Sequence, residues 1–95
     1  MKKHLLDLFV QENKQLNEQY FLLILGSNEP LPEMLPGQFV EVKVDNSPDT
    51  FLRRPISINF VDYSKNELWL LIQIAGKGTL KLSELSKGSI LNLIL

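Results

Sequence analysis

The sequence contains no cysteine and only one histidine, His4. A chain without cysteine holds no disulfide, thiolate cluster or zinc ribbon, and a single histidine leaves little for a transition-metal site. The net charge is −1 and the basic residues are scattered. Nucleic-acid surfaces and anionic-membrane surfaces need concentrated Lys and Arg. We therefore expect no metal site, no nucleic-acid partner and no membrane partner.

Long apolar runs are absent as well. No stretch approaches the roughly 20 apolar residues that a membrane span needs. The N-terminal segment Met1–Leu6 loosely resembles a signal peptide, but Asp7 and then Gln11–Asn13 interrupt the apolar run before it reaches the usual length. The sequence therefore predicts a soluble, cytoplasmic protein. Its 95 residues, of which 44% are hydrophobic, suffice for one domain with a single core.

The sequence does have a series of short apolar or alternating segments separated by turn residues, which is typical of β-strands. Among them, Tyr20–Leu25 is apolar on both faces, which favours a strand covered on both sides. One helical pattern, Thr79–Ser86, is followed by the helix stop signal Lys87-Gly88. The pattern predicts an all-β fold, an antiparallel barrel or sandwich with one short helix near residues 79–86. The six predicted strands cover residues 5–10, 20–25, 38–44, 51–61, 67–74 and 90–95, and the polar segment 13–19 is predicted to be a hairpin connection.

The end of the sequence is also unusual. The last residues, Ser89–Leu95, form an apolar strand with no polar tail behind it. Natural termini seldom stop at such a point. We therefore expect residues 1–95 to be one domain cut from a longer protein.

The fourth predicted strand begins with two arginines and a proline. Pro55 has no N–H, so it belongs at a sheet edge or a bulge, where a strand can meet a ligand. On an unbulged ribbon Arg54 and Ile56 share a face, and a guanidinium beside a flat aliphatic patch suits a phosphate joined to a planar ring. Ser57 adds a hydroxyl, which alternation turns to the other face unless a bulge redirects it. The alternative interpretation is a surface arginine pair, Arg53 and Arg54, beside a structural proline.

A glycine-containing turn, Gly76-Lys77-Gly78-Thr79, joins the fifth predicted strand to the helix. Glycines let the backbone approach a ligand closely, the N–H groups of a first helical turn attract anions, and Lys77 adds positive charge. The alternative interpretation is an ordinary helix start with a Thr cap. The turn lacks the spacing of a Walker loop and the third glycine of a dinucleotide fingerprint.

In combination, the two features resemble the ferredoxin-reductase family and, more narrowly, the electron-transfer subunits of bacterial dihydroorotate dehydrogenase. The resemblance implies a six-stranded Greek-key barrel that binds FAD, with a nucleotide-binding part and a [2Fe-2S] part outside this chain. It also implies electron transfer in pyrimidine biosynthesis between NAD, the FAD, the iron–sulfur centre and the FMN of a catalytic dihydroorotate dehydrogenase subunit. The matching stretches are Pro36–Phe39, Leu52–Ile58, Gly76–Thr79, Leu82–Leu85 and Gly88.

The resemblance further implies which residues bind the cofactor. Arg54 would hold the FAD pyrophosphate and Ser57 would hydrogen-bond the isoalloxazine ring. Ile56 stands where the wider family has a tyrosine stacked on the flavin. Arg53 is expected to pair with an acidic side chain or to face the partner subunit. The full set implied is Arg54, Pro55, Ile56, Ser57, Leu71, Ile72, Gln73, Gly78 and Thr79, with backbone groups offered by 71–73 and phosphate contacts by Gly78 and Thr79.

No residue suggests an acid, base or nucleophile for substrate chemistry. We interpret Asp7, Asp45, Asp49 and Asp62 as solvated or capping groups in or beside turns. We expect no catalytic residue, and we expect the chain alone not to turn over because the nucleotide-binding part is absent. Two other hypotheses remain: a different oxidoreductase subunit of the same superfamily, and a non-enzymatic β-barrel binding module. The latter would need a basic face studded with aromatic residues.

Overall fold

Six β-strands form a closed antiparallel barrel in the structure, a computed structural model that describes residues 4–35, 37–44 and 53–95. The order of strands around the barrel is β1-β2-β5-β4-β3-β6, and β6 closes onto β1. The predicted antiparallel Greek-key barrel with one short helix is confirmed. The elements are β1 (Leu5–Gln15), β2 (Tyr20–Gly26), β3 (Phe39–Val42), β4 (Arg54–Asp62), β5 (Glu67–Gln73), α1 (Lys77–Ser83) and β6 (Ile90–Ile94).

The barrel encloses one apolar core, because alternate side chains of each strand point inward. In β2, Phe21, Leu23 and Leu25 are buried, whereas Leu22 and Ile24 on the outer face are only half-buried. The prediction that this strand is covered on both sides is therefore wrong. The other core side chains that expose at most 3% of their area are Leu8, Val10, Val40, Val42, Leu68, Leu70, Ile72, Leu82, Leu91 and Leu93.

The first strand is longer than its apolar pattern predicted. β1 continues past Val10 to Gln15, so Asn13 lies in the strand and not in a hairpin connection. A bulge between Val10 and Glu12 separates the two halves of its pairing with β2. The polar half of β1 was missed because its pairing uses backbone groups, which any side chain permits.

The helix also differs from the prediction. α1 begins two residues before Thr79, and its C-cap residue is Glu84. Gly88 does not end the helix: with a φ of 91° it forms the turn into β6, a conformation that favours glycine. There the N–H of Gly88 donates to the carbonyl oxygen of Val10 over 2.8 Å. The N–H of Val10 in turn donates to the carbonyl oxygen of Ser89 over 2.9 Å. The glycine therefore serves to join the helix connection to β1.

Asp62 organises the tight turn between β4 and β5. Its carboxylate accepts hydrogen bonds from the Ser64 hydroxyl over 2.6 Å and from the N–H groups of Ser64 and Lys65 over 3.1 and 3.2 Å. These bonds lower the pKa of Asp62, and the bond from the Ser64 hydroxyl has the largest effect. The interpretation as a turn cap is confirmed for Asp62. Asp7 is exposed, as expected of a solvated group, but it lies within β1 and not beside a turn. Asp45 and Asp49 lie outside the described residues, as do Phe51 and Leu52 of the predicted fourth strand.

Gly26 marks a close approach between β1 and β2. A Cβ at this buried position would lie 2.6 Å from the ring of Phe9 and would also meet the amide of Gln11. Because real Cβ atoms are not found so close to other atoms, the side chains of Phe9 and Gln11 would have to move and lose their present packing. We expect Gly26→Ala to lower the free energy of unfolding by roughly 1–3 kcal/mol, as measured by urea denaturation. Alanine at the nearby exposed Asn28 serves as the control, and equal midpoints for both variants would contradict the expectation.

Candidate functional site

β4 and β5 are paired along only part of their length. The last pair between them is Ile58↔Leu70. Beyond it, Arg54–Ser57 of β4 are paired only with β3, and Leu71–Gln73 of β5 only with β2. The two segments therefore bound a gap in the barrel wall, which we call the β4–β5 opening.

Pro55 limits how far the pairing can extend along β4. The N–H of Ile58 donates to the carbonyl oxygen of Gln38 over 2.9 Å, on the β3 side. Backbone groups alternate along a strand, so the nitrogen of Pro55 faces β5. Proline has no N–H to donate there, and the ladder between the two strands cannot extend past it. The predicted edge position of Pro55 is thus confirmed as a local edge within a closed barrel.

The β5 side of the opening presents backbone groups. The N–H of Ile74 donates to the carbonyl oxygen of Gln19 over 2.7 Å, on the β2 side. By alternation, the N–H and C=O of Gln73 point toward the opening, and those of Leu71 lie on the same side. The side chain of Ile72, by contrast, is 1% exposed and belongs to the core.

Arg54 and Ile56 share a face of β4, as predicted, because both lie in unbulged register opposite Val42 and Val40. That face is the inner one. Ile56 exposes only 9% of its area and packs in the core, whereas Arg54 is exposed at the start of the strand. The prediction of a flat aliphatic patch beside the guanidinium is therefore wrong.

Ser57 lies on the outer face of β4, opposite the exposed Phe39. No bulge redirects it, because the irregularity in β4 falls further along, between Ile58 and Phe60. Arg54 and Ser57 consequently point to opposite faces of the strand. A ligand that contacts both must pass around the unpaired edge of β4, which means through the β4–β5 opening.

The glycine turn follows β5 directly. Gly76 is the N-cap of α1 with φ 156° and ψ −177°, a region occupied almost solely by glycine. The hydroxyl of Thr79 accepts a hydrogen bond from the N–H of Ala75 over 2.8 Å and donates to the carbonyl oxygen of Gly76 over 3.2 Å. Thr79 therefore closes the turn, and the predicted alternative of a Thr N-cap is wrong.

The first intrahelical hydrogen bond of α1 runs from the N–H of Leu80 to the carbonyl oxygen of Gly76, over 3.0 Å. The N–H groups of Gly78 and Thr79 precede that bond in the first turn, where a helix offers no carbonyl acceptor one turn back. Because β4 and β5 are antiparallel, β4 starts at the barrel end where β5 stops. Arg54 and the glycine turn therefore flank the same opening, although 21 residues separate Arg54 from Gly76 in the sequence.

Arg53 reaches away from this site, across the barrel wall. Its guanidinium donates to the carbonyl oxygens of Glu41 and Asn92 over 3.2 and 3.4 Å and also to the Oδ1 of Asn92. The amide of Asn92 in turn donates to the carboxylate of Asp7 over 2.7 Å. Arg53 was expected to pair with an acidic side chain, and here Asn92 links it to the carboxylate of Asp7. Arg53 links the start of β4 to β3 and β6.

Two cavities lie elsewhere on the surface. The first, of about 310 Å³, lies between α1, β6 and the end of β3, and it is lined by Lys43, Val44, Lys81, Leu82, Glu84, Leu85, Ile90 and Leu91. The second, of about 280 Å³, is lined by Met34, Leu35, Gly37, Ile58, Asn59, Phe60, Val61 and Tyr63. Neither of these two cavities is lined by a predicted cofactor-binding residue.

The described residues contain neither a metal-binding cluster nor a membrane-spanning helix. No three His, Asp or Glu side chains in 4–35, 37–44 and 53–95 lie close enough together to hold a metal ion. No helix within the same ranges is long and apolar enough to cross a membrane.

The contact between Asn13 and the helix after the glycine turn was not predicted. Its side-chain amide donates to carbonyl oxygens at the C-terminal end of α1, including that of Ser83 over 3.0 Å. The two residues lie 70 positions apart in the sequence. No local sequence pattern predicts such a contact, because it forms only when the barrel brings β1 beside the helix.

Comparison with solved structures defines the class of fold. The chain matches a flavohemoglobin from Malassezia yamatoensis, solved with bound FAD and heme, with a TM-score of 0.63. The match covers 94% of this chain and 24% of that one, at 11% sequence identity. At this identity the likeness shows the fold alone, a closed β-barrel.

Curated relatives are similar to the chain, although no family model matches it. The dihydroorotate dehydrogenase B (NAD(+)) electron transfer subunit of Lysinibacillus sphaericus is 39% identical over 85 residues, which are 90% of this chain and 33% of that subunit. The same subunit of Streptococcus thermophilus is 37% identical over 82 residues, which are 86% of this chain and 31% of the relative. The chain thus spans about a third of the length of these relatives. Over that third, it is similar to dihydroorotate dehydrogenase B electron transfer subunits.

The contacts of the two neighbouring arginines predict different effects of their replacement. Arg53→Ala removes charged hydrogen bonds to two strands, and we expect it to lower the free energy of unfolding by roughly 1–2 kcal/mol, since the side chain is partly exposed. Arg54→Ala, at an exposed position, should change it by less than about 0.5 kcal/mol. Urea denaturation of both variants measures the difference. Equal losses of stability would contradict the assignment of Arg53 to the barrel wall.

Proposed function

We propose that this chain is the FAD-binding barrel of a dihydroorotate dehydrogenase B electron transfer subunit. The observation that carries the proposal is the β4–β5 opening, which has Arg54 on one side and the Gly76–Thr79 turn on the other. The similarity to these electron transfer subunits supports it, and so does the fold shared with a flavohemoglobin solved with bound FAD.

The two sides of the opening suit a pyrophosphate. Arg54 offers a guanidinium fork, which binds phosphate oxygens in pairs. The N–H groups of Gly78 and Thr79 are donors ahead of the first intrahelical bond of α1, and Lys77 adds positive charge to the turn. The hydroxyl of Thr79 is already engaged within the turn, so we assign its backbone N–H to the phosphate. Two phosphates with donors on both sides favour FAD over FMN.

The flavin ring would lie against the edge of the opening. On the β4 side we assign to it the hydroxyl of Ser57, which is exposed on the outer face, and the exposed ring of Pro55. On the β5 side we assign the backbone groups of Leu71 and Gln73. The side chains of Ile56 and Ile72 are core residues behind the site, so they shape its floor and do not stack on the ring.

FAD, when bound, accepts two electrons together and releases them singly, so the redox chemistry belongs to the cofactor. The residues that bound the opening include no carboxylate and no histidine. Their part is to bind the phosphates and to orient the ring, and no catalytic residue is assigned. We expect the chain alone to show no NAD-dependent reduction of its flavin.

For the whole subunit, we propose that electrons pass between NAD, the FAD and a [2Fe-2S] centre with ligands outside this chain, and on to the FMN of a catalytic dihydroorotate dehydrogenase subunit. The name of the relatives, an electron transfer subunit, supports that partnership. Residues 1–95 would form one domain of that larger protein. A cytoplasmic location also stays a prediction. Because the fold is shared with a flavohemoglobin, a subunit of another reductase is the alternative. The identities of 31–45% to dihydroorotate dehydrogenase B subunits favour the dihydroorotate branch.

Replacing Arg54 tests the proposed pyrophosphate contact. We expect Arg54→Ala to weaken FAD binding by roughly 1.5–3 kcal/mol, the value of a charge-assisted hydrogen bond, which is about a tenfold to hundredfold rise in Kd. Arg54→Lys should recover only part of the loss, because an ammonium keeps the charge but lacks the fork. Ser57→Ala should affect affinity less and the reduction potential of the flavin more. Calorimetry in one buffer measures the affinities.

Riboflavin serves as the matched ligand, because it has the ring without any phosphate. Its Kd should be nearly the same for wild type and Arg54→Ala. Equal affinity of the wild-type chain for FAD and riboflavin would contradict the proposal, because it would show that the phosphates are not bound. Unchanged FAD affinity in a folded Arg54→Ala variant would make Arg54 an ordinary surface residue.

A further inference from the structure

The side-chain amide of Asn13 lies against the C-terminal end of α1. Its Nδ2 donates to the carbonyl oxygens of Ser83 and Leu85, both over 3.0 Å, and lies 3.4 Å from that of Leu82. The last carbonyl groups of a helix have no donor within the helix. Asn13 therefore supplies from β1 the hydrogen bonds that the end of α1 lacks.

The bulge in β1 aims Asn13 at the helix. Val10 pairs with Leu25 of β2, and both are buried in the core. After the extra residue of the bulge, Asn13 pairs with Leu23, whose side chain is also buried. Without the bulge, Asn13 would fall on the outer face by strand alternation. The bulge thus determines that the amide of Asn13 points inward, toward the helix.

α1 needs such a support. It has seven residues, whereas isolated helices shorter than roughly 12–15 residues are marginal in water. Of its residues only Gly78 and Leu82 are buried. The side chain of Leu82 in the core and the amide of Asn13 are two contacts that hold it on the barrel.

The other end of the same helix carries the proposed phosphate site. A helix of this length is about 10 Å long, since each residue rises 1.5 Å, so Asn13 stands well away from the Gly76–Thr79 turn. We propose that Asn13 is a positioning residue for phosphate binding: by holding the C-terminal end of α1, it fixes where the N–H groups of Gly78 and Thr79 point. This inference rests on the proposed function.

The test uses Asn13→Asp, which keeps the size of the side chain but replaces the amide donor with a carboxylate that faces carbonyl oxygens. Lys14→Ala, at the next and exposed position of β1, is the control. We expect Asn13→Asp to raise the Kd for FAD about fivefold to twentyfold, the range for one or two lost hydrogen bonds. The Kd for riboflavin should stay within about twofold, because no phosphate is involved. Calorimetry on the 95-residue chain gives both values.

The outcomes separate this inference from the proposed function. Loss of FAD and riboflavin affinity in equal proportion would assign Asn13 to general stability and overturn its positioning role, as would unchanged FAD affinity. A wild-type chain that binds no FAD would instead refute the proposed function. In that event amide hydrogen exchange tests the link to the helix: faster exchange at Gly78–Leu80 in Asn13→Asp but not in Lys14→Ala supports it, and equal exchange overturns it.

Discussion

One missing hydrogen-bond donor determines the functional end of this barrel. The nitrogen of Pro55 faces β5, so no continuous ladder between the two strands can run past it, and their last pair is Ile58↔Leu70. Closed barrels otherwise leave no free strand edge. Here the local edge leaves backbone groups of Gln73 facing a gap, with the guanidinium of Arg54 at its rim. A candidate binding site is thus obtained without breaking the rest of the barrel.

Neighbouring polar residues have different roles: some hold a strand or helix in place, and others are exposed and available to a ligand. Arg53 is held against the wall by Asn92 and the backbone of β3, which fixes the start of β4 and leaves Arg54 exposed beside it. Asn13 does the same for α1 from the other side of the barrel. Because antiparallel pairing puts the start of β4 and the end of β5 at one end, the two supported segments face each other across the opening.

Much of this could be predicted, and the failures have physical causes. Alternating apolar residues predicted the strands, and Pro55 predicted a local edge, because both follow from backbone geometry. The strand extension beyond Val10 was missed because backbone pairing tolerates polar side chains. The role of Ile56 was wrong because alternation shows which residues share a face but not which face is the core. Asn13 carries no local signal, since its partners lie some 70 residues away.

The most direct test of the central claim is a map of backbone amide chemical shifts in the isotope-labelled chain during titration with FAD. A cofactor bound in the β4–β5 opening predicts the largest changes at Arg54–Ser57, excluding Pro55, which has no amide proton, and at Leu71–Gln73 and Gly76–Thr79. Largest changes around the cavity at Phe60 and Tyr63, with the residues of the opening unaffected, would contradict the account.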